Sequence, residues 1–194
     1  MKKQLKIVVL AKQVPDTRNV GKDAMTPEGT VNRAALPAIF NPEDLNALEA
    51  ALFLKDETEG STVHILTMGP PRAADIIRDA IFRGADGGYL LTDRKFAGSD
   101  TLATSYALSC ALRKIQPDVI VAGRQAIDGD TAQVGPQVAE KLGLTQITYA
   151  EEILNVDKEA GRITVKRHID GGVETVEGPL PIVITAVSYT HLRA

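Results

Sequence analysis

The 194-residue chain has a single cysteine, Cys110, no tryptophan, and an aromatic content of only 4%. One thiol excludes a disulfide framework, a Cys-x-x-Cys redox pair and a thiolate-held iron–sulfur cluster. So few aromatics leave no stacking platform for bases. With 22 basic against 25 acidic residues, a formal net charge of −3, the chain also lacks the basic excess on which nucleic-acid binding draws. His64, His168 and His191 stand at no metal-ligand spacing. The N-terminal apolar run ends at Lys12 after Ala11. It is too short for a signal-peptide core or a bilayer span and reads as a buried strand. These absences predict a chain of the reducing cytoplasm with no membrane insertion, no metal and no nucleic-acid partner. What is present, 44% hydrophobic and 24% charged residues with 16 Gly and 10 Pro, is the composition of one ordinary globular domain.

The order of elements reads strand, turn-rich stretch, helix, several times over. Lys6–Ala11, Thr62–Thr67, Gly88–Leu91 and Val119–Ala122 are short, nearly continuous apolar runs, the pattern of strands covered on both faces. Helices are predicted at Pro42–Lys55, Ala73–Arg83, Asp100–Ile115 and Thr131–Leu142. The first opens with Asn41 as N-cap, Pro42 at its first position, and Glu43 and Asp44 in its first turn. Leu45, Leu48 and Leu52 then share a face, while Gly84 and Gly143 suit the ends of the second and fourth helices. This alternation predicts a three-layer α/β domain with a parallel sheet. Residues 12–40 form a long connection with a small β excursion expected at Thr30–Val31. After Thr148, strands are expected at Glu151–Val156, Arg162–Ile169 and Val173–Glu177, the last two a C-terminal antiparallel hairpin turned by Gly171 and Gly172. The apolar run Ile182–Val187 could rejoin the sheet.

The segment richest in chemistry is VIVAGRQAIDGDTAQVGPQVAEKLG, Val119–Gly143. A buried strand reaches Gly123, a loop follows, and a helix is expected from Thr131 with Asp130 and Gln133 as a capping box. The N–H groups of Thr131, Ala132 and Gln133 would then face the crevice at the strand's carboxyl end, where aligned donors and the helix dipole suit a phosphate. Arg124 adds a positive charge. The same spacing fits a helix cap plus a turn equally well. Neither GxxxxGK[ST] nor a GxGxxG after the first strand occurs, so a P-loop and a standard dinucleotide fingerprint are absent. A second loop, RKFAGSDTLATSYAL at Arg94–Leu108, opens another helix with Ser99, Asp100, Thr101, Thr104 and Ser105 on its first turns. Ser99 or Asp100 caps it, whereas Thr104 and Ser105 weaken a helix once past the cap, so they serve a ligand or face solvent. No GxSxG elbow and no carboxylate pair stand out, so no residue is assigned a catalytic role. Cys110, mid-helix among Ala107, Ala111 and Leu112, reads as a buried inert thiol.

KIVVLAKQVPDT at Lys6–Thr17, NPEDLNALEAALFLK at Asn41–Lys55, TMGPP at Thr67–Pro71, GRQAIDGDTAQVGPQ at Gly123–Gln137 and DGGVETV at Asp170–Val176 resemble the beta subunit of electron transfer flavoproteins. The resemblance implies a Rossmann-like adenine-nucleotide-binding domain over residues 1–187. It also implies a heterodimer with an alpha subunit that carries the electron-carrying FAD. In the common form of that family the beta subunit buries AMP; in an NADH-using, flavin-bifurcating subgroup the same pocket holds the ADP half of a second FAD. By position, Leu10, Ala11 and Lys12 with Asn41 and Pro42 would meet the adenine and ribose, and Thr67, Met68 and Gly69 would line the pocket. The phosphate would lie in the loop comprising Arg124, Gln125, Ala126, Ile127, Asp128, Gly129, Asp130, Thr131, Gln133, Val134 and Gly135. FAGSDTLATSYAL resembles the bifurcating group, which makes Asp100, Thr101 and Thr104, with Arg124, the residues expected near a flavin ring.

The resemblance further implies NADH as donor, an acyl-CoA dehydrogenase-type flavoenzyme as partner, and ferredoxin or flavodoxin as low-potential acceptor. A nucleotide-sensing module of the universal-stress type is the alternative from another class, but it needs a GxxG…G[ST] loop, and Arg124, Gln125 and Ala126 follow Gly123 here. Members of the resembled family continue beyond the LPIVITA strand at Leu180–Ala186 into a partner-recognition loop and an arm around the alpha subunit. SYTHLRA at Ser188–Ala194 matches none of that, so residues 188–194 read as a foreign tail on a truncated frame, and His191 carries no functional weight.

Overall fold

A computed structural model describes residues 4–16, 18, 24, 25, 27, 29 and 36–187. Its elements are β1 (Lys6–Leu10), β2 (Gln13–Pro15), β3 (Ala38–Phe40), α1 (Pro42–Glu57), β4 (Thr62–Met68), α2 (Ala74–Phe82), β5 (Gly87–Leu91) and α3 (Thr101–Ile115), followed by β6 (Val119–Gly123), α4 (Val134–Leu142), β7 (Thr145–Asp157), β8 (Arg162–Ile169), β9 (Gly172–Pro179) and β10 (Ile182–Ala186). The main sheet has the order β5-β4-β1-β6-β10-β7-β8-β9. Strands β5 to β7 in that order run parallel, and β7, β8 and β9 form an antiparallel extension.

Two apolar layers explain why the central strands read as unbroken hydrophobic runs. On one face Ile7, Val9, Val63, Ile65, Val119, Val121, Ile182 and Ile184 pack with Leu48 and Leu52 of α1 and Ile76 of α2. On the other, Val8, Leu10, Leu66, Ile120 and Val183 meet Leu108 and Leu112 of α3 and Val138 of α4. Successive residues of one strand thus serve opposite layers, as a two-sided parallel sheet requires. The expected three-layer α/β fold is therefore what forms. Leu45, by contrast with Leu48 and Leu52, is only partly buried against the first layer.

Several elements differ from expectation. The small β excursion expected at Thr30–Val31 lies outside the described residues; the ribbon observed in that connection pairs Gln13–Pro15 with Ala38–Phe40. The second helix opens as a 3-10 turn over Pro71–Ala73, because prolines 70 and 71 prevent an earlier α start. β7 starts at Thr145 rather than Glu151, since its first half pairs parallel with β10 and only its second half antiparallel with β8. The fourth helix starts at Val134, three residues later than expected, because Asp130 and Ala132 adopt left-handed backbone. Residues 188–194 lie outside the described residues.

The entry of α4 is seated by Gly135, where an added Cβ would stand 2.6 Å from Thr185 Cγ2 on β10. Gly135→Ala is expected to lower stability by about 1–3 kcal/mol through overpacking. Adding Thr185→Ser, which deletes that methyl, is expected to restore most of the loss in urea unfolding. Equal loss in the single and double variants would contradict this packing.

Candidate functional site

The strand order reverses between β1 and β6: β4 and β5 follow β1 on one side, and β6 lies on the other. A crevice opens at such a point outside the carboxyl ends of the strands. Here it is a cavity of about 510 Å³ bounded by Leu10, Ala11, Lys12 and Gln13 after β1 and by Ala122, Gly123, Arg124, Gln125 and Ala126 after β6. Met68, Gly69 and Pro70 after β4 close a third side. That volume falls within the usual range of small-molecule sites. Leu10, Leu66, Met68 and Leu108 supply an apolar wall.

The far side is the loop from Gly129 to Gly135, including Asp130, Thr131, Gln133 and Val134. Asp130 and Ala132 adopt left-handed backbone (φ 48° and 52°), which ends any helix before Gln133. The capping box expected from Asp130 and Gln133 does not form. Asp130 instead accepts a hydrogen bond from the Gln125 side chain at 2.9 Å, and Gln133 accepts one from the Thr101 hydroxyl at 2.8 Å. Among the described residues no hydrogen bond takes the N–H of Thr131, Ala132 or Gln133. Left-handed Ala132 followed by right-handed Gln133 (φ −100°, ψ −30°) arranges these donors as a nest at the positive end of α4. The donors expected to be free are free, although the helix begins beyond them.

The segment before α3 borders the same cavity through Phe96, Gly98, Ser99, Asp100, Thr101 and Thr104. Asp100 caps α3 as expected, accepting from Ala103 N–H at 2.8 Å. Ser105 takes neither expected role. It is fully buried, donates to Leu102 C=O at 2.9 Å and meets Gln137 of α4 at 3.0 Å, so its hydroxyl joins the two helices.

A family model described as "Electron transfer flavoprotein domain" matches residues 28–189. The chain belongs to the electron transfer flavoprotein family. It is 51% identical over 190 residues to "Protein FixA" of Azorhizobium caulinodans, covering 95% of this chain and 66% of that protein. To "Electron transfer flavoprotein subunit beta" of Megasphaera elsdenii it is 50% identical over 190 residues, covering 94% and 68%. To "Caffeyl-CoA reductase-Etf complex subunit CarD" of Acetobacterium woodii it is 49% identical over 184 residues, covering 94% and 68%. The chain thus spans about two thirds of the length of these curated relatives. It is an electron-transfer subunit of the beta type.

In this electron transfer flavoprotein chain, some of the expected site residues lie behind the cavity wall rather than on it. Asn41 is fully buried and does not cap α1 with its side chain. Its Nδ2 donates to Gln125 C=O at 2.9 Å and its Oδ1 accepts from Ile127 N–H at 3.2 Å, which pins the loop after β6 to the start of α1. Pro42 follows it at the first position of the helix, where a missing N–H costs nothing. Asp128 receives Lys12 Nζ at 2.7 and 3.0 Å, and its side chain is 2% exposed. Thr67 is buried on the strand face opposite Met68, and its hydroxyl has no hydrogen-bond partner. Arg124 borders the cavity, but its guanidinium is paired with Glu43 at 3.0 Å, so its charge is partly offset.

Sequence reasoning missed Asp44, seen only as a first-turn acid complementing the helix dipole. Asp44 borders the cavity, its Oδ2 accepts from Lys12 N–H at 2.8 Å, and its carboxylate lies against Gly123. Burial pushes its carboxyl from the ordinary 3.8 up to about 7, against the opposing pull of Asn41, the two N–H donors and the Lys12 charge. Its position in the first turn of a helix, two residues after Asn41-Pro42, was the available signal. Elsewhere, Cys110 is half-buried on α3, and His168 pairs with Glu151 of β7 at 2.5 Å. Among the described residues no helix is long and apolar enough to cross a membrane.

Asn41→Ala would leave Ile127 N–H without its partner, and a loss of about 1–3 kcal/mol is expected in denaturant unfolding. An unchanged midpoint would contradict the role assigned to Asn41. The folded chain holds a proton on Asp44 that the unfolded chain releases from about pH 4 upward, so this group's contribution falls as pH rises toward 7. The stability of wild type minus that of Asp44→Asn is therefore expected to decline across that window, by up to about 1.4 kcal/mol per pH unit. A difference independent of pH would refute the raised pKa.

Proposed function

We propose that this chain is the beta subunit of a heterodimeric electron transfer flavoprotein, and that its cavity takes the ADP part of a second FAD. The observation that carries the reading is the continuity of one cavity from the nest at Thr131–Gln133, past the ends of β1 and β6, to Ser99–Thr104. The nest and the dipole of α4 suit a pyrophosphate. The apolar wall of Leu10, Leu66, Met68 and Leu108 suits a planar base. Ser99, Thr101 and Thr104 leave room and hydroxyl partners beyond the nucleotide, which a mononucleotide such as AMP would not use.

When bound, the second flavin would supply hydride acceptance from NADH and the division of two electrons between the alpha-subunit FAD and a low-potential acceptor. The chain's own contribution is positional. Lys12, held by Asp128, and Arg124, held by Glu43, place positive charge at the cavity edge. Gln125 and Asp130 brace each other across the loop that carries the free donors. Asp100 caps α3 and holds the Thr101–Thr104 turn at the cavity. The heterodimer's alpha subunit, an acyl-CoA dehydrogenase-type flavoenzyme, and ferredoxin or flavodoxin are the partners this reading requires, in the cytoplasm. The CarD relative, named as a subunit of a reductase–Etf complex, supports it.

Co-expression with the alpha subunit, followed by visible absorption and nucleotide extraction, tests the proposal. Two flavins per heterodimer are expected. One flavin with tightly held AMP would overturn the second-FAD reading and leave the simpler electron carrier. A colourless homodimer holding ATP would overturn both.

A further inference from the structure

We infer that Asp44 is the positioning residue of this site: its carboxylate ties the end of β1 to the end of β6 and sets the separation of the two cavity walls. The inference rests on the nucleotide-site reading above and names the residue that shapes the site.

β1 and β6 are register partners through Leu10 and Ala122, and beyond that pair the ladder stops. Beyond it on β1, the N–H of Lys12 turns to α1 instead. Asp44 reaches both strand ends: its Oδ2 accepts from Lys12 N–H at 2.8 Å, and its Oδ1 lies against Gly123, whose N–H dipole favours the ionised carboxyl. The fit is close. A Cβ on Gly123 would stand 2.5 Å from Asp44 Oδ1 and 2.6 Å from the Glu43 carbonyl carbon, so only glycine lets β6 approach the start of α1. Asp44 is 6% exposed and borders the cavity, which places the tie at the cavity floor.

An ionised carboxylate offers two acceptor oxygens for two N–H donors, whereas a protonated one gives up part of that capacity to its own O–H. Burial brings the Asp44 carboxyl to about 7, so the tie loosens within the neutral range. Among the described residues the charged groups around it are paired: Lys12 from the end of β1, whose ammonium is on Asp128 of the loop, and Glu43 of its own helix, whose carboxylate is on Arg124 from the end of β6. The positive charge of Lys12 favours the ionised form, and among the described residues no other group contacting Asp44 supplies a second negative charge.

The test uses the full 194-residue chain with two probes. ADP-ribose reports whether a nucleotide site exists. Adenosine is uncharged near neutrality, so the pH dependence of its affinity reports the pocket rather than the ligand. Wild type is expected to bind ADP-ribose, and to bind adenosine about fivefold more tightly at about pH 8 than at about pH 6. Asp44→Asn keeps the volume but has one acceptor oxygen; it is expected to bind adenosine about tenfold more weakly at the higher pH, with no change between the two. Gly123→Ala, which drives the walls apart sterically, is expected to lose about tenfold at both. Melting temperatures of all three proteins are read alongside, and Gly123→Ala keeps the test open should Asp44→Asn not fold. If ADP-ribose binds but the Asp44→Asn variant keeps wild-type affinity and pH profile, the role of Asp44 is refuted while the site stands. If wild type binds no ADP-ribose at either pH, the site reading falls, and this inference with it.

Discussion

The fold depends on how its backbone is satisfied where β1 and β6 part. Parallel strands whose order reverses between neighbours leave N–H groups at their carboxyl ends that no ladder can take, and buried unpaired donors are costly. Two side chains from the start of α1 meet this demand. Asp44 accepts from Lys12 at the end of β1 and packs against Gly123 at the end of β6, and Asn41 holds the loop after β6 by donating to one of its carbonyls and accepting from one of its N–H groups. With these in place the loop continues under its own bracing, Lys12 to Asp128 and Gln125 to Asp130, and arrives at α4 with donors left over. A chain that uses a buried acid and a buried amide to finish its sheet has thereby built an open, donor-lined cavity beside them.

The strands and the layer order were legible in the sequence because both sheet faces are apolar. Ile7 and Val9 serve one layer, Val8 and Leu10 the other, so the run KIVVL could only be a strand covered on both sides. Asp100 was legible as a cap because a cap is a local bond. What failed was every pattern whose side chains were used at long range. Asn41 has the right position for a cap, yet bonds to residues 84 and 86 positions away. Asp130 and Gln133 match a capping box, but left-handed backbone at Asp130 and Ala132 turns both away from the helix that the match requires. Ser105 reads as a helix-weakening hydroxyl until Gln137 of α4 is beside it. The ribbon of Gln13–Pro15 with Ala38–Phe40 is too short and too proline-rich to carry a strand signal at all.

The site follows the same division. The glycine-bearing loop after β6 was recognisable from its residues, and much of it borders the cavity. Asp44 was not, because its importance comes from partners 32 and 79 residues away along the chain. The acidic residues of the loop, which on sequence alone would oppose an anion, are each turned to a partner: Asp128 to Lys12 and Asp130 to Gln125. The chain belongs to the electron transfer flavoprotein family, and the function proposed for its cavity gives these residues a positional role.

The central claim is that the cavity where β1 and β6 part is a nucleotide site whose anion is held by the backbone ahead of α4. Amide-resolved NMR of the isotope-labelled chain titrated with ADP-ribose tests it most directly. The account predicts saturable shifts concentrated at the N–H groups of Thr131, Ala132, Gln133 and Val134, with a second cluster at Lys12 and Gly123. Shifts confined to another face of the sheet, or none at saturating ADP-ribose, would contradict it.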